Sequence, residues 1–456
     1  MAYQTINPFN NEVLKSYENI SDEKLEQMLA DSHALYKKWR GGPIDERKEI
    51  LHKIAELMRA EKTQLATVMT KEMGKLIAES EAEVELCANI ADYFADQAEE
   101  FLKPTPLVTD AGDAYYEKQA LGVLFMVEPW NFPYYQIMRV FAPNFMIGNP
   151  MMLKHASITP SSAEAFVEIV RRAGAPESSL TNLFIDYDQV DQTIADKRVI
   201  GVALTGSERS GASVAKNAGE NLKKSSLELG GNDPFIILDD ADMNKVKKIA
   251  PSARISNAGQ TCTASKRFIV MADKYEAFLE MLKEAFSQVK LGDPMNRDTT
   301  LAPLSSPDAK KNLQKQVDEA VASGAKVYYG NEPVDLPGQF FQPTILIDIK
   351  RDNPMFDQEM FGPVATVYKV NSEVEAIDLA NDSSYGLGSV IFSEDLEHAK
   401  QVASQLETGM TFINQAWTSL PELPFGGVKN SGYGREMAEI GFDAFVNEHL
   451  VLTAKR

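Results

Sequence analysis

The chain has little cysteine, little histidine and no long uncharged run. Two cysteines in 456 residues cannot form a disulfide framework, which argues against a stapled secreted scaffold and for a reducing compartment, the cytoplasm. Five histidines are scattered, and no pair has ligand spacing with a carboxylate or thiol, so no metal site is expected. The most weakly charged stretch, Glu128 to Lys154, contains Arg139 and the prolines Pro129, Pro133, Pro143 and Pro150, so it does not read as a membrane span. Basic residues are outnumbered: 46 Lys and Arg stand against 66 Asp and Glu, a net charge of -20. That balance disfavours nucleic acid and anionic membranes as partners. An anionic substrate would need a local cation to attract it. The N-terminus lacks the basic-then-apolar pattern of a signal peptide. The dinucleotide fingerprint G-x-G-x-x-G is missing too.

What remains is an ordinary globular composition, 44% hydrophobic and 25% charged, with length for roughly two or three domains. The first hundred residues read as helices: one opened by Ser21-Asp22-Glu23-Lys24, one from Asp45 to Met73 stopped by Gly74, one from Val84 to Leu102. Cys87 lies on the last and reads as core. From Gly122 short apolar runs alternate with helical patterns. Strands are expected at 123-127, 151-154, 183-185 and 199-204, with helices at about 134-147 and 161-173. Further strands are expected at 234-238, 268-271, 325-329, 362-368, 389-392 and 449-453. Alternation of this kind predicts an α/β fold with parallel sheets covered on both faces. Ligands of such sheets bind outside the carboxyl ends of the strands.

Several short runs carry chemistry. Cys262 sits in the small, polar run Asn257-Ala258-Gly259-Gln260-Thr261-Cys262. A structural cysteine prefers apolar neighbours, whereas a reactive one needs access, so Cys262 is either a small core residue or a nucleophile. Strand 199-204 runs into Thr205-Gly206-Ser207-Glu208. This is either an ordinary turn or a helix N-terminus offering N–H groups to a phosphate. In Leu227-Glu228-Leu229-Gly230-Gly231, apolar flanks would desolvate the carboxyl and raise its pKa, as a general base requires; the alternative is a satisfied buried Glu. Pro129-Trp130-Asn131-Phe132-Pro133 fixes an amide at a strand end, where it either turns the chain or stabilises an oxyanion. Glu359 and Phe361 form a polar-aromatic pair in Glu-Met-Phe-Gly-Pro, just before a strand.

Together these runs resemble the aldehyde dehydrogenase superfamily over essentially the whole chain, and within it the chain is similar to bacterial succinate-semialdehyde dehydrogenases. The resemblance implies a Rossmann-type cofactor domain (1-101 and 121-230), an α/β catalytic domain (231-430) and a β oligomerisation arm (102-120 and 431-456). It implies Cys262 as nucleophile, Asn131 and the Cys262 N–H as oxyanion donors, and Glu228 as the base that activates water. Trp130, Lys154, Ser157, Thr205, Gly206, Ser207, Glu208, Leu229, Glu359 and Phe361 would hold the cofactor. Many NAD-selective members carry a glutamate where Ser157 stands, which would repel a 2′-phosphate. Ser157 beside Lys154 therefore points to NADP, with NAD tolerated. Arg139, eight residues after Asn131, would receive a substrate carboxylate with Ser419 or Thr418; as an ordinary residue it would be a helix-surface arginine in a structural ion pair. Ser256 stands where some members carry an arginine, and Ala264 where some carry a second cysteine. His155 stands where the family often has proline. The expected partner is a small aldehyde, succinate semialdehyde first, and the expected assembly a homodimer or homotetramer. The competing expectations are another aliphatic aldehyde, or a non-catalytic protein of the same fold.

Overall fold

A computed structural model describes residues 3–455. Two large sheets organise it. The first has six strands in the order Gly432–Tyr433, Lys224–Glu228, Val199–Thr205, Val123–Glu128, Met151–His155, Leu180–Asn182; all are parallel except the short Gly432–Tyr433 edge. From Val123–Glu128 the chain builds outward through Met151–His155 to Leu180–Asn182. It then returns to add Val199–Thr205 and Lys224–Glu228 on the other side. The order therefore reverses between Val123–Glu128 and Val199–Thr205, and the crevice outside the carboxyl ends of those two strands is the switch point of a doubly wound sheet.

The second sheet has seven strands in the order Lys326–Tyr329, Thr344–Ile347, Val364–Val370, Arg267–Met271, Pro234–Ile237, Gly388–Phe392, Met410–Ile413, with only Lys326–Tyr329 antiparallel. Its central strands are buried along their length, so they read as unbroken apolar runs, as strands covered on both faces do. A third sheet of three strands pairs Val446–Ala454 with Gly112–Ala120, and that with Thr105–Leu107. Among the described residues no helix is long and apolar enough to cross a membrane.

Several expectations shift on contact with the structure. Residues 3-17 are not helical: Tyr3–Ile6 and Val13–Tyr17 form an antiparallel hairpin. The outer strand is almost wholly exposed, so it carries no apolar alternation to read. The expected helix 45-73 is two, Asp45–Ala60 and Lys62–Met73, broken at Glu61, and Gly74 closes the second in the left-handed conformation at φ 86. The helix expected to begin at Val84 begins at Ile77. The strand expected at 183-185 lies three residues earlier, at Leu180–Asn182. Cys87 is fully buried in the core.

Helix Ile77–Phe101 ties the fold to the site. Its Glu83 accepts the N–H groups of Tyr134 (2.9 Å) and Tyr135 (3.0 Å) in the first turn of helix Pro133–Ile147, where a carboxylate complements the helix dipole. Glu83 also pairs with Lys75, and both side chains are withdrawn from solvent. The Lys75 ammonium lies 3.6 Å from the centre of the Phe132 ring. Removing one partner of a buried pair strands the other charge. Glu83→Ala is therefore expected to lower unfolding stability by about 3–5 kcal/mol, and Glu83→Ala with Lys75→Met to recover much of that loss. Urea unfolding of both variants checks this; a single-variant loss under about 1 kcal/mol would show that the pair is not critical.

Candidate active site

The two large sheets meet end to end, by opposite ends. The carboxyl end of Lys224–Glu228 delivers Glu228, and after a link of five residues the chain starts Pro234–Ile237 in the second sheet. The first sheet thus offers its strand C-termini: Glu128 and the following Trp130-Asn131, Thr205, and Glu228. The second offers residues just before its strands: Asp233, the Cys262 loop with Lys266, and Glu359-Phe361.

The Cys262 loop is bent. Asn257 and Ala258 hold φ of 53 and 52, followed by Gly259 at 74, a conformation that non-glycine residues adopt only when their surroundings enforce it. The Asn257 side-chain amide donates to the carbonyls of Asn131 (2.9 Å) and Gln260 (3.2 Å), and its N–H donates to Glu79 (2.8 Å). The Asn131 amide donates to the same Gln260 carbonyl at 3.1 Å. One amide N–H of Asn131 is so engaged, which orients the other. Buried Arg254 donates to the carbonyls of Gly259 (3.3 Å), Met360 (3.0 Å) and Gly362, fastening this loop to the one that carries Glu359 and Phe361. The Gly230-Gly231 pair permits the close approach: a Cβ on Gly231 would stand 2.5 Å from the Cys262 carbonyl, and one on Gly230 2.6 Å from Glu359.

Cys262 is half-buried and packs against the main apolar core. Its polar sequence neighbours suggested no such wall; the wall comes from distant segments. Burial pushes the thiol up to about 12, against the pull of Arg139 and Lys266, while Glu359 and Asp233 push the same way as burial. Glu228 is buried, and neither of its oxygens has a hydrogen-bond partner. Burial, then Glu436, raises its carboxyl well above the usual range, with Arg139 and Arg435 opposing. Glu128, buried beside Thr205, is raised by burial and by Glu436 in the same way. Glu128, Glu228 and Glu436 thus share the field of one arginine.

That arginine makes an ion pair, but not at a helix surface. Arg139 is 1% exposed, with Nε 2.8 Å from Glu436 Oε2 and Nη2 donating to Thr205 at 3.3 Å. Its guanidinium lies 4.8 Å from the Tyr135 ring and 4.3 Å from the Phe425 ring. Every residue of helix Pro133–Ile147 is buried, so Arg139 is not a surface residue; Glu436 faces its Nε, while its Nη1 is buried without a hydrogen-bond partner. Ser419 lies one step further out: its hydroxyl is 2.5 Å from that of Tyr135. Phe132 packs edge-on against both Tyr135 and Trp417, which makes an aromatic wall beside these hydroxyls.

The expected cofactor residues line the switch point. Trp130 and Phe361 meet edge to face at 5.7 Å between centres. Ser207 caps helix Glu208–Glu220, its hydroxyl accepting from the Ser210 N–H. Gly206 N–H is spent on the Glu228 carbonyl (2.9 Å), and the Glu208 carboxylate accepts from Tyr385 at 2.9 Å. Leu229 packs over Gly211. Glu359 accepts the Gly231 N–H at 3.1 Å. Lys154 is buried, donates to the His155 carbonyl (3.1 Å) and is lowered by burial to about 8. Ser157 is half-buried and its carbonyl accepts from Gln4 in the N-terminal hairpin (3.0 Å). A helix N-terminus at the switch point, a lysine ending the neighbouring strand and an aromatic pair across the gap fit a dinucleotide. His155 now has a reason. One ring nitrogen reaches the Pro133 carbonyl (3.1 Å) and must donate, so the other accepts from Thr159 (2.9 Å); burial holds the ring neutral, down at about 4.

Sequence reasoning missed Glu83, Arg254, Asn257, Lys266 and Glu436. A separate cleft of about 1060 Å³ is lined by Tyr275, Tyr328 and Lys369 of the second sheet and its helices.

Comparison with known proteins agrees with this geometry. The model of the aldehyde dehydrogenase family matches residues 1–451. The succinate-semialdehyde dehydrogenase [NADP(+)] of Deinococcus radiodurans is 44% identical over 449 residues, covering 98% of this chain and 94% of that protein. The probable succinate-semialdehyde dehydrogenase [NADP(+)] of Synechocystis is 40% identical, covering 100% of each. A crystal structure of succinic semialdehyde dehydrogenase from Streptococcus pyogenes in complex with NADP+ superposes with a TM-score of 0.99 at 59% identity, covering 100% of both chains. The fold, the motifs and these relatives together make the chain a member of the aldehyde dehydrogenase family.

Proposed function

We propose that this protein oxidises succinate semialdehyde to succinate with NADP as the preferred cofactor. The observation that carries the reading is the shared Gln260 carbonyl, which fastens Asn131 beside the Cys262 loop; the NADP-dependent relatives support it from outside. Cys262 loses its proton to solvent water, and the thiolate attacks the aldehyde carbon, the C=O π pair moving to oxygen to form a thiohemiacetal oxyanion. The free amide N–H of Asn131 and the Cys262 N–H hold that oxygen. NADP, when bound, supplies the hydride acceptor, and loss of hydride leaves a thioester on Cys262. Glu228 then takes a proton from water, the water oxygen attacks the thioester, and the acid departs as the thiolate is restored.

Around this centre Trp130, Thr205, Gly206, Ser207, Glu208, Leu229, Glu359 and Phe361 hold the dinucleotide, while Lys154 and Ser157 meet its 2′-phosphate. The Tyr135–Ser419 hydroxyl pair receives the substrate carboxylate, with Arg139 behind Tyr135 supplying charge rather than a direct fork. We assign the chain to the cytoplasm and divide it into a cofactor domain (1-101 and 121-230), a catalytic domain (231-430) and an arm (102-120 and 431-456). The outer strand Val446–Ala454 leaves Leu450 and Leu452 exposed, and we take it as the edge that joins subunits into a dimer or tetramer.

Cys262→Ser is expected to abolish aldehyde-dependent NADPH formation; turnover at the parent rate would remove the mechanism. Glu228 ionises only above the ordinary carboxylate range, so turnover should rise with pH as its proton leaves. Glu228→Gln should lose that limb and, in rapid mixing, give a burst of NADPH followed by turnover at least ~100-fold slower. Ser157→Glu should reverse cofactor preference, read as kcat/KM with NADP against NAD. Ser419→Ala and Tyr135→Phe should raise KM for succinate semialdehyde about tenfold, the order of one hydrogen bond to a charged group, and leave KM for a neutral aldehyde of equal length near the parent value. Equal rises for both aldehydes would remove the carboxylate role.

A further inference from the structure

Lys266 is buried at 2% exposure, yet neither sequence pattern nor family resemblance gave it a role. It lies one residue before strand Arg267–Met271. Its backbone is pinned: the N–H donates to Asp233, and the carbonyl accepts from the Thr366 N–H and hydroxyl. The side chain therefore turns back toward the loop it has just left. Its ammonium donates to the carbonyls of Thr261 (2.9 Å), Cys262 (2.6 Å) and Ala264 (3.3 Å) and lies 3.2 Å from Glu359 Oε1. An ammonium has three protons, and four acceptors here share them. A buried lysine needs such partners merely to exist. These partners are not arbitrary, however: one is the carbonyl of Cys262, and another is the Glu359 carboxylate, which the proposed function assigns to the dinucleotide.

We propose that Lys266 is a positioning residue for the nucleophile, fastening the Cys262 loop to Glu359 and setting how readily the Cys262 thiol ionises by balancing the charge of that carboxylate. The charged groups facing the thiol are Arg139 and Lys266, which favour the thiolate, and Glu359 and Asp233, which oppose it. Of these, Arg139 is held by Glu436 and Lys266 by Glu359. Removing the lysine charge leaves Glu359 uncompensated beside the sulfur, and removing the Glu359 charge leaves the lysine uncompensated. The two changes must act with opposite sign, which a purely structural staple does not require.

The inference rests on Cys262 being the reactive thiol, but not on which aldehyde it attacks. The experiment is alkylation of the full-length protein by iodoacetamide from pH 7 to 10, without cofactor or substrate, counting only the Cys262 adduct by peptide mass spectrometry. Lys266→Met should slow alkylation at pH 8 about tenfold, the effect of one unit in thiol pKa, and move the profile to higher pH. Glu359→Gln should move it to lower pH, the double variant should return most of the way to the parent, and Lys266→Arg should stay near it. Profiles for Lys266→Met and Glu359→Gln that coincide with the parent, or shift in the same direction, overturn the proposal. If Lys266→Met does not fold, Glu359→Gln decides, and a profile that fails to move down overturns it. Shifts of opposite sign in a protein that does not oxidise succinate semialdehyde would support the role of Lys266 while removing the proposed substrate.

Discussion

The site depends on one carbonyl that accepts two amides. Gln260 O takes hydrogen bonds from both Asn131 and Asn257, and Asn257 returns one to the Asn131 carbonyl. Asn131 belongs to the end of a strand in the first sheet, Gln260 and Asn257 to the loop that enters the second. These three contacts tie together two halves that also share the main apolar core, into which the second contributes Leu387 and Phe425. The left-handed backbone at 257-259 is the cost of aiming the asparagine side chain back across the gap, and Glu79 and Arg254 hold it there from either side.

Because the sheets meet by opposite ends, their local chemistry differs. Strand C-termini of the first bring carboxyls, Glu128 and Glu228, into a buried space with Glu436 and a single arginine. Three ionised carboxylates around one guanidinium would leave net negative charge out of water, which the interior does not tolerate. Burial accordingly raises all three carboxyls above their usual range, and the pair Arg139–Glu436 fixes where the positive charge stays. On the other side Lys266 and Arg139 pull on the Cys262 thiol against Glu359 and Asp233. Cys262 and Glu228 are each surrounded by an arrangement several groups deep.

Much of this was legible in sequence, and the rest was hidden for a common reason. The parallel strands at 123, 151, 199, 234 and 268 announced themselves as bounded apolar runs. Cys262, Asn131 and Glu228 stood out because Gly, Pro and aromatic neighbours set them apart from solvated surface. The first sheet places the expected residues at its strand C-termini; the second presents its N-termini, because the short Leu229–Asp233 link leaves no length to cross to the far end. Glu83, Arg254, Lys266 and Glu436 were invisible because each looks like a solvated charge in its own segment and gains its meaning from a partner elsewhere. Glu83 and Tyr134 are 51 positions apart, and Arg254 and Met360 are 106 apart. Arg139 shows the same limit: it stood out as a candidate cation, but its carboxylate partner Glu436, nearly three hundred positions downstream, did not.

The order in which the chain is made gives that distance a consequence. Strand Gly432–Tyr433 completes the edge of the first sheet beside Lys224–Glu228, and Glu436 follows it by three residues. A nascent polypeptide on the ribosome can assemble Cys262, Asn131 and the surrounding loops well before these residues leave the exit tunnel. During that interval Arg139 lacks its counterion and Glu228 its neighbour. The edge strand that closes the first sheet thus also delivers the counterion of Arg139 and the carboxyl that raises Glu228, so sheet closure and the charge state of this pocket are one event.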